Sequence, residues 1–475
     1  MRNKKTVTII VMFIMSTMIL TSCSKEKYPL KENKITNANK EVSSKINSNT
    51  SVTSCDKVSY AITDKKVFSI AIQGIGKEES LSKLLEVLKR NNLNVTFFMS
   101  GIQAGEEDNM VKSIVEDGHE IGNSTLTGVD LTKEDYDIKV KEIQRSGDEI
   151  EKIAGEKCKY LKVGKGKVDE EVKDVAKKCG YKYIIDPNIS FTDLSGKNEQ
   201  YLGDEFIEKR KRGSIFLFDL DSNPDLYKYI DYLATKIKEK SYEAIPLDQL
   251  MDLYEKRKAE QYTPKKQVDD AKDQYHIIEE GNTDKKKIAL TFDDWASDET
   301  VDNILDILDI YNIKATFFLI GEGVEKNPSL AYAISERGHE IANHTYSHKD
   351  VNSISQEELI EEINKGYEVI AKAINKEPSK YLRTPRGIVD EEVGKTIASC
   401  GYEDIVLYGI DPKDWEANVS SDEIVNYMIN NSKNGGITLL HILDGKHTAE
   451  ALPRIIENLQ NQGYELVTLG ELLNS

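Results

Sequence analysis

Two long stretches of this chain repeat each other. The segment from Asn92 to Asn123 matches the segment from Asn312 to Asn343 at a constant offset of 220 positions. Both contain Thr-Phe-Phe, then a Gly, then Gly-His-Glu-Ile-x-Asn, and later matches follow at offsets of 221 and 222 positions. The chain of 475 residues is long enough for two domains with full hydrophobic cores. The repeat therefore predicts two copies of one fold.

Each copy alternates short, β-branched apolar runs with amphipathic helical stretches. In the second copy, Lys287 to Phe292 is typical of a strand, Thr300 to Tyr311 of a helix and Ala315 to Ile320 of the next strand. Such alternation favours an α/β fold with a parallel sheet or barrel over a sandwich. We place the first copy at residues 61–257 and the second at 285–475, joined by a polar linker at 258–284 with room for a short strand near His276.

The N-terminus has the pattern of an export signal. Three basic residues precede an apolar run from Thr6 to Leu20, which is shorter than the roughly 20 residues that span a bilayer. The run ends in Leu20-Thr21-Ser22-Cys23, which resembles the bacterial lipobox, whose Cys receives a lipid. We expect residues 1–23 to be a lipoprotein signal peptide, Cys23 to be lipidated, and residues 24–60 to be a flexible polar tether. The protein would then be anchored at the extracytoplasmic face of the cell membrane.

Charge and cysteine content restrict the function further. The chain has 82 acidic and 64 basic residues, a formal charge of −18, and no long basic block, which argues against nucleic-acid binding. The cysteines beyond Cys23 could pair in an exported protein, but the sequence alone gives no connectivity.

Five segments of the second copy carry residues suited to hydrolytic chemistry. They are Thr291-Phe292-Asp293-Asp294, His344-Thr345-Tyr346-Ser347-His348, Arg383-Thr384-Pro385-Arg386-Gly387, Asp411-Pro412-Lys413-Asp414-Trp415 and Leu439-Leu440-His441. The acidic pair follows a strand, and in βα folds the carboxyl ends of the strands carry the chemistry. One carboxylate could bind a cation while the other accepts a proton.

The histidines and the arginine extend this interpretation. A helical His344–His348 segment would place both imidazoles on one face, and two His with one Asp leave a position open for water, as a catalytic zinc site requires. Arg383 could orient a nearby carboxylate and lower its pKa. His441, at the end of a late strand, could act as a general acid.

The first copy serves as an internal control, because every one of these candidates is replaced there. By alignment, Asp293, Asp294, His344, His348, Arg383 and His441 become Gln73, Gly74, Ser124, Gly128, Lys162 and Phe218. His119 and His339, in contrast, are kept in both copies, which indicates a structural role. The pattern predicts an active second copy beside a degenerate first copy.

The five segments, in this order over residues 285–475, resemble the polysaccharide deacetylase family, carbohydrate esterase family four, with its NodB-homology fold. The resemblance implies two tandem distorted (β/α) barrels. It implies a divalent metal bound by Asp294, His344 and His348. Zinc is the first choice for this metal, and cobalt, nickel or manganese are alternatives. It also implies that Asp293 is the general base, that Arg383 positions it, that Asp411 tunes His441, that Trp415 lines the site and that Leu439 borders the acetyl pocket.

Two departures from the family pattern concern the substrate groove. Trp295 follows the acidic pair where many members have Gly-Pro, and Arg386 stands where an aromatic residue is common. Because aromatic faces stack on sugar rings, we expect Trp295 and Trp415 to form groove walls, although core packing is the alternative. The motif Arg383-Thr384-Pro385-Arg386-Gly387 resembles the branch of the family that acts on muramic acid in spore peptidoglycan. Arg386 could there meet a lactyl carboxylate, although it could also face solvent.

The sequence thus predicts an enzyme that removes N-acetyl groups from a cell-wall polysaccharide. The expected partner is an acetylated glycan, most specifically peptidoglycan N-acetylglucosamine, with muramic acid as an option. An O-acetyl esterase acting on a polymer such as xylan, and a non-catalytic glycan-binding lipoprotein, stay open as alternatives.

Overall fold

A computed structural model describes residues 53–164, 166–265 and 274–475. The predicted signal peptide, the predicted lipidation site Cys23 and most of the predicted tether lie outside the described residues. Within the described ranges, no helix has the length and apolar character needed to cross a bilayer.

The first copy is built from alternating strands and helices. Its strands are β1 (Asp56–Val58), β2 (Val67–Gln73), β3 (Thr96–Met99), β4 (Glu120–Asn123), β5 (Tyr160–Leu161), β6 (Tyr183–Ile185), β7 (Ile189–Phe191), β8 (Ser214–Asp219) and β9 (Glu243–Ala244). Its helices are α1 (Glu78–Arg90), α2 (Gly101–Glu106), α3 (Asp108–Glu116), α4 (Tyr136–Ala154), α5 (Glu170–Lys178), α6 (Glu199–Lys209), α7 (Leu226–Glu239) and α8 (Leu247–Ala259).

The second copy repeats this succession. Its strands are β10 (His276–Ile278), β11 (Lys287–Ala289), β12 (Thr291–Asp294), β13 (Thr316–Leu319), β14 (Glu340–Asn343), β15 (Tyr381–Leu382), β16 (Asp404–Val406), β17 (Gly436–Ile437), β18 (Leu440–His441) and β19 (Glu465–Val467). Its helices are α9 (Asp298–Ile310), α10 (Gly321–Lys326), α11 (Pro328–Glu336), α12 (Gln356–Ile374), α13 (Glu391–Ser399), α14 (Ser421–Asn431), α15 (Thr448–Asn461) and α16 (Leu469–Leu473).

Each copy has a curled parallel sheet. The order in the first is β1-β6-β5-β4-β3-β2-β8-β7, with β9 also pairing β2. The second has β10-β16-β15-β14-β13-β12-β18 and a separate group β17-β11-β19, because the counterparts of β2 and β8 are each divided into two short strands. The predicted fold class, two tandem distorted (β/α) barrels, is confirmed.

Side-chain alternation along the strands divides the core into layers. Phe317 on β13 packs into the large apolar cluster that the helices cover, whereas its neighbour Phe318 packs on the opposite face of the sheet. Phe97 and Phe98 on β3 divide in the same way. Consecutive residues of a strand point to opposite faces, so the repeated Thr-Phe-Phe supplies both layers of each copy.

The repeated Asn at the end of β4 and β14 explains part of the sequence match. Asn343 donates from Nδ2 to the carbonyl of Ile363 at 3.0 Å and to the hydroxyl of Tyr402 at 3.0 Å, and its Oδ1 accepts from the backbone of Thr345. Asn123 makes the same three bonds in the first copy. A buried amide with all its bonds satisfied fixes the strand end, which is why both copies retain it.

Two short strands lie in segments for which the sequence predicted a tether and a linker. β1 falls within residues 24–60 and pairs with β6, and β10 falls within residues 258–284 and pairs with β16. The short strand expected near His276 is present as β10. β1 was not expected, because three residues within a polar segment give no clear strand pattern of their own. Folded structure therefore begins before the predicted start of each copy.

Candidate active site

The carboxyl ends of neighbouring parallel strands carry the candidate residues. β12 ends in Asp294, β18 ends in His441, and His344 and Arg383 follow β14 and β15 directly. Asp293 and His441 are opposite each other in the register of β12 and β18. Parallel strands bring their carboxyl ends to the same edge, and the five segments meet there.

Asp293 is held by Arg383. The arginine donates from Nη1 to Oδ1 of Asp293 at 2.6 Å and to the hydroxyl of Thr291 at 2.9 Å. Its Nε and Nη2 donate at 3.0 Å to the carbonyls of Val406 and Leu407. The guanidinium is fully buried and lies over Phe318, 4.0 Å from the ring centroid. A charge-assisted bond from so constrained a donor fixes the orientation of the carboxylate.

The His344–His348 segment is a turn. Thr345 and His348 have φ values of 63° and 57°, in the left-handed region, so the segment is not helical and the helical arrangement considered from the spacing does not apply. Glu362 on α12 holds the turn by accepting from the backbone N–H of Ser347 at 2.7 Å and from its hydroxyl at 2.6 Å. The turn nevertheless brings the two rings together, with centroids 5.0 Å apart.

Asp294, His344 and His348 form a candidate metal centre. One ligand atom from each lies within 4.8 Å of the others, and Oδ1 of Asp294 is 3.6 Å from Nε2 of His344 and 3.5 Å from Nε2 of His348. Asp294 reaches this position because its φ of 82° turns the backbone at the strand end.

The protonation pattern of the histidines fits a metal. Nδ1 of His344 is 2.8 Å from the carbonyl of Arg383, which can only accept, so Nδ1 carries the proton and Nε2 presents its lone pair. Burial and the neighbouring His344 lower the pKa of His348, which favours the neutral imidazole that binds metals. Two imidazole nitrogens and one carboxylate oxygen are a donor set typical of catalytic zinc.

His441 is bonded to Asp414, so the prediction that Asp411 tunes this histidine is corrected. Nδ1 of His441 is 2.7 Å from Oδ1 of Asp414, and its backbone N–H donates to Oδ2 at 2.8 Å. Thr448 donates a further bond to Oδ2. Asp411 instead accepts from the N–H of Lys413 in its own loop at 2.9 Å. Burial lowers the pKa of His441, but the bond and charge of Asp414, with the charges of Asp293 and Asp294, outweigh it and raise the pKa.

The candidate residues surround a cavity of about 550 Å³. It is lined by Asp293, Asp294, His344, His348, Arg386, Gly387, Tyr408, Asp411, Trp415, Leu439, His441 and Leu443. Trp415 is 46% exposed at the rim, whereas Leu439 is buried at the wall. The cavity therefore combines a polar floor with apolar and aromatic walls, as sites for small polar substrates do.

Trp295 is not part of this cavity lining, contrary to the groove-wall prediction. Its indole packs against Gly323 on α10 and against the apolar cluster beneath α9. A Cβ at Gly323 would overlap the indole ring. The packing alternative considered for Trp295 is the one that the structure shows.

Comparisons with known proteins agree with this geometry. The family model described as polysaccharide deacetylase matches residues 63–184 and 280–405, together more than half of the chain. The chain belongs to the polysaccharide deacetylase family. The prediction that it is an amide-hydrolysing enzyme is confirmed at the level of the family, and the prediction that both copies have its fold is confirmed as well.

Several relatives within the deacetylase family are similar to part of the chain. A peptidoglycan-N-acetylglucosamine deacetylase of Bacillus cereus is 38% identical over 201 residues, 42% of this chain and 93% of that protein. The peptidoglycan-N-acetylmuramic acid deacetylase PdaA of Bacillus subtilis is 32% identical over 210 residues, 44% of this chain and 79% of that protein. A solved structure of peptidoglycan deacetylase PdaC from Bacillus subtilis is 32% identical and covers 40% of this chain and 91% of that chain, with a TM-score of 0.37.

The first deacetylase-type copy lacks the metal ligands. Gln73, at the position of Asp293, donates to the hydroxyl of Ser124 at 3.1 Å. Gly74 replaces Asp294, and a Cβ there would overlap the carboxylate of Asp221, which fills the space. Asp221 is fixed by accepting from the N–H of Gly76 at 2.8 Å and from Gln103 at 3.1 Å. The described part of the first copy contains no group of three metal-binding side chains.

One predicted correspondence between the copies shifts by a residue. His441 is opposite Asp293 in the strand register, and the residue opposite Gln73 is Asp219, one position after the predicted Phe218. Phe218 is fully buried in the core and matches Leu440. Pairing Phe218 with His441 implies an offset of 223 positions, whereas the strand register implies 222, the offset at which Tyr242-Glu243 matches Tyr464-Glu465.

Two further residues belong to this deacetylase site that the sequence did not reveal. Asp414 was visible in the fourth segment, but nothing in its spacing distinguished it from Asp411. Tyr408 lies two residues after β16 and lines the cavity beside Gly387. Its place just past the carboxyl end of a parallel strand was the signal that could have identified it.

Proposed function

We propose that the second copy removes N-acetyl groups from a cell-wall polysaccharide, most specifically from the N-acetylglucosamine of peptidoglycan, and that the reaction depends on a divalent metal. The observation that carries this proposal is that Asp293 and His441 lie on paired strands at one cavity, beside the Asp294, His344 and His348 donor set. A base, an acid and a metal-binding set in one cavity are the groups that amide hydrolysis uses.

Asp294, His344 and His348 would hold the metal, zinc in the first place, with cobalt, nickel or manganese as alternatives. A divalent ion bound there polarises a carbonyl and lowers the pKa of water. The bond from Nδ1 of His344 to the carbonyl of Arg383 orients that ring toward the site.

Asp293 and His441 would move the protons. Oδ1 of Asp293 is occupied by Arg383, which leaves Oδ2 to accept a proton from the water that attacks the acetyl carbonyl. The C–N bond then breaks, acetate forms, and His441 in its protonated form donates to the departing amine. Asp414 stabilises that imidazolium and orients the ring. One water is consumed and one acetate and one free amino sugar are released.

The walls of the cavity would position the sugar. Leu439 is buried where it can border the methyl of the acetyl group, and the exposed Trp415 offers a face on which a sugar ring can stack. The support for peptidoglycan as the polymer comes from relatives named as peptidoglycan deacetylases.

Muramic acid is a second candidate substrate, because of Arg386. This residue lines the cavity with a φ of 59°, is 67% exposed in its side chain, and pairs through Nε with Asp350 at 3.0 Å. The remaining guanidinium nitrogens can meet a lactyl carboxylate, which N-acetylglucosamine lacks. The similarity to PdaA supports the same candidate.

We also propose that the protein is anchored at the extracytoplasmic face of the membrane through Cys23. This proposal rests on the sequence from Arg2 to Cys23. It fits a substrate in the cell wall, because a tethered enzyme reaches polymer close to the membrane.

Acetate release from defined substrates tests the proposal. Purified protein would be assayed with peptidoglycan, chitooligosaccharides and acetylated xylan, with added zinc and with a chelator. Asp293→Asn removes the base while conserving size, so we expect a rate loss of about 10²-fold or more with metal content unchanged. Gln73→Asn, at the same position of the first copy, is the matched control and should keep the full rate.

The substrate panel also discriminates among the alternatives. Preference for acetylated xylan would support an O-acetyl esterase, and preference for muramic acid would support the second candidate. Absence of acetate release from every polymer by metal-loaded protein would contradict the enzymatic proposal and favour a glycan-binding lipoprotein.

A further inference from the structure

Helix α9 begins four residues after the metal-binding candidate Asp294, and its acidic side faces a basic surface of the first copy. The acidic residues of α9 in contact with this surface are Asp298, Glu299, Asp302 and Asp306. The basic residues that meet them are Lys66, Arg210, Arg212 and Lys240. The degenerate copy therefore contacts the element that leads directly out of the candidate active site.

Arg212 is at the centre of this contact. Its Nη1 is 3.1 Å from Oδ2 of Asp298, and its Nη2 donates to Asp302 one turn further along α9. The guanidinium is fully buried, and each carboxylate is only 9% exposed. A forked guanidinium that bridges two carboxylates out of contact with water fixes their separation and direction, which a single ammonium cannot do.

The loop that carries Arg212 is itself firmly attached to the first copy. Gly213 donates to the carbonyl of Val67 at 2.7 Å and accepts from the N–H of Ala61 at 2.9 Å. Its φ is 73°, and a Cβ there would overlap the carbonyl of Ala61. Nε of Arg212 also donates to the carbonyl of Asp64 at 3.1 Å. The arginine is thus presented from a rigid base.

The start of α9 is fixed by further contacts and is joined to the active site by a short segment. Asp298 also accepts from Nδ2 of Asn327 at 2.5 Å, which lies just after α10, and from the hydroxyl of Tyr242 at 3.3 Å. Between Asp294 and Asp298 lie only Trp295, packed on α10, and two further residues. A segment so short has little freedom when both of its ends are fixed.

The repeat shows that this arrangement is particular to the second copy. In α1, the residues at the positions of Asp298 and Asp302 are Glu78 and Ser82, and both are exposed. Helix α1, which follows β2, is therefore exposed to solvent at these positions. Helix α9, which follows β12, is held at the same positions by Arg212, a contact that we call the clamp. The clamp is therefore found on the copy that has the candidate active site and is not a general feature of the shared fold.

We propose that Arg212 is a positioning residue for the active site of the other copy: by fixing the start of α9 it holds the Asp293–Asp298 segment in the conformation that presents Asp294. The degenerate copy then contributes to catalysis through one buried guanidinium without touching substrate or metal. As far as it concerns metal binding, this inference rests on the proposed function.

The test compares two buried arginines of the first copy in the full-length protein. Arg212→Met removes the clamp. Arg257→Met is the matched control, because Arg257 is likewise buried and donates to the second copy, to the carbonyls of Lys372 and Ala373 at the far end of α12. Amide hydrogen exchange of residues 294–300 is measured without metal, and affinity for zinc is measured by titration calorimetry.

For Arg212→Met we expect exchange of residues 294–300 to accelerate about tenfold or more, as local opening becomes easier, and zinc affinity to fall about tenfold. Arg257→Met should leave both unchanged even where it lowers the melting temperature. Arg212→Lys should restore part of the protection. Arg212→Met leaves Asp298 buried without a cation and leaves Asp302 with Lys66 as its remaining cationic partner. Arg212→Met with Asp298→Asn and Asp302→Asn therefore provides a variant that loses the Arg212 bridge without the cost of unpaired buried carboxylates.

The inference would be overturned if the Arg212 variants kept the hydrogen exchange rates and the zinc affinity of the wild-type protein. It would also be overturned if Arg257→Met changed both quantities by the same amounts as Arg212→Met. Failure of the wild-type protein to bind zinc or another divalent ion would instead contradict the proposed metal site. The exchange comparison, made without metal, still decides whether Arg212 orders the segment.

Discussion

At the scale of single residues, the hydrogen bond between His441 and Asp414 leads us to expect a particular pH dependence of the activity. The raised pKa of His441 extends the pH range in which it is protonated and able to donate. Activity should therefore fall on the alkaline side, as pH rises through that pKa. Asp414→Asn removes the charge that raises it, so we expect the alkaline limb of kcat/KM to move to lower pH and the maximum rate to drop about 10²-fold.

Asp411→Asn is the matched comparison for this pH profile. Asp411 lies in the same cavity but is bonded to Lys413 rather than to His441. Its replacement can alter the rate, but the alkaline limb should stay close to its wild-type position. A limb that moves with Asp411→Asn and not with Asp414→Asn would reverse the assignment made from the structure.

Residue types were easier to predict from the sequence than residue partners. The ligand candidates Asp294, His344 and His348 stand out because their side chains can bind a metal and because all three are missing from the first copy. The sequence could not show which of Asp411 and Asp414 bonds to His441, since both belong to one loop and only the fold decides which carboxylate reaches the histidine. Trp295 shows the same difficulty, because an indole suits both a sugar and a core.

At the scale of elements, the turn that carries both histidines depends on helix α12. Glu362 accepts two bonds from Ser347, and its loss leaves a partly buried N–H and hydroxyl without these partners. We expect Glu362→Ala to lower the free energy of unfolding by about 2 kcal/mol and to weaken zinc binding about tenfold or more. Denaturant unfolding and zinc titration measure the two effects separately.

The first copy provides a built-in control for this prediction. Glu142 makes the corresponding bonds to the backbone and hydroxyl of Thr127, each at 2.9 Å. Glu142→Ala should cost a similar free energy of unfolding while leaving zinc binding at the wild-type level. If Glu362→Ala lowered stability alone, the turn would not need α12 to keep its ligands in place.

Elements were predictable where their pattern was long, and unpredictable where it was short. The order of strands and helices followed from apolar periodicity, which α9 and β13 show clearly. β1 has three residues and pairs with a distant strand, which composition does not reveal, whereas the short strand expected near His276 is present as β10. The spacing of four residues between His344 and His348 suits a helix as well as a turn, and only the left-handed φ values of Thr345 and His348 distinguish the two.

At the scale of the whole molecule, the N-terminal segment predicts where the enzyme works. If Cys23 carries the lipid, Cys23→Ala should move most of the protein from the membrane fraction to the medium, because a tether without an anchor has no hold on the bilayer. Cell fractionation measures this, with Cys55→Ala as a control that should stay with the membrane. Membrane retention of both variants would contradict lipidation at Cys23.

The whole molecule also joins two copies that differ at several strand ends, and the filled space beside Gly74 makes one of these differences hard to reverse. An aspartate restored at position 74 meets the carboxylate of Asp221, so the mutation that would begin to rebuild the lost ligand is disfavoured by the present structure. Asp221 has to change first, and on its own that change only removes the acceptor for Gly76 and Gln103. Neither Gly74→Asp nor the replacement of Asp221 is expected to be favourable on its own, so a return to aspartate at position 74 requires both changes. The first copy is thereby kept from gaining this metal ligand in one step, while its contact with α9 of the second copy is unaffected.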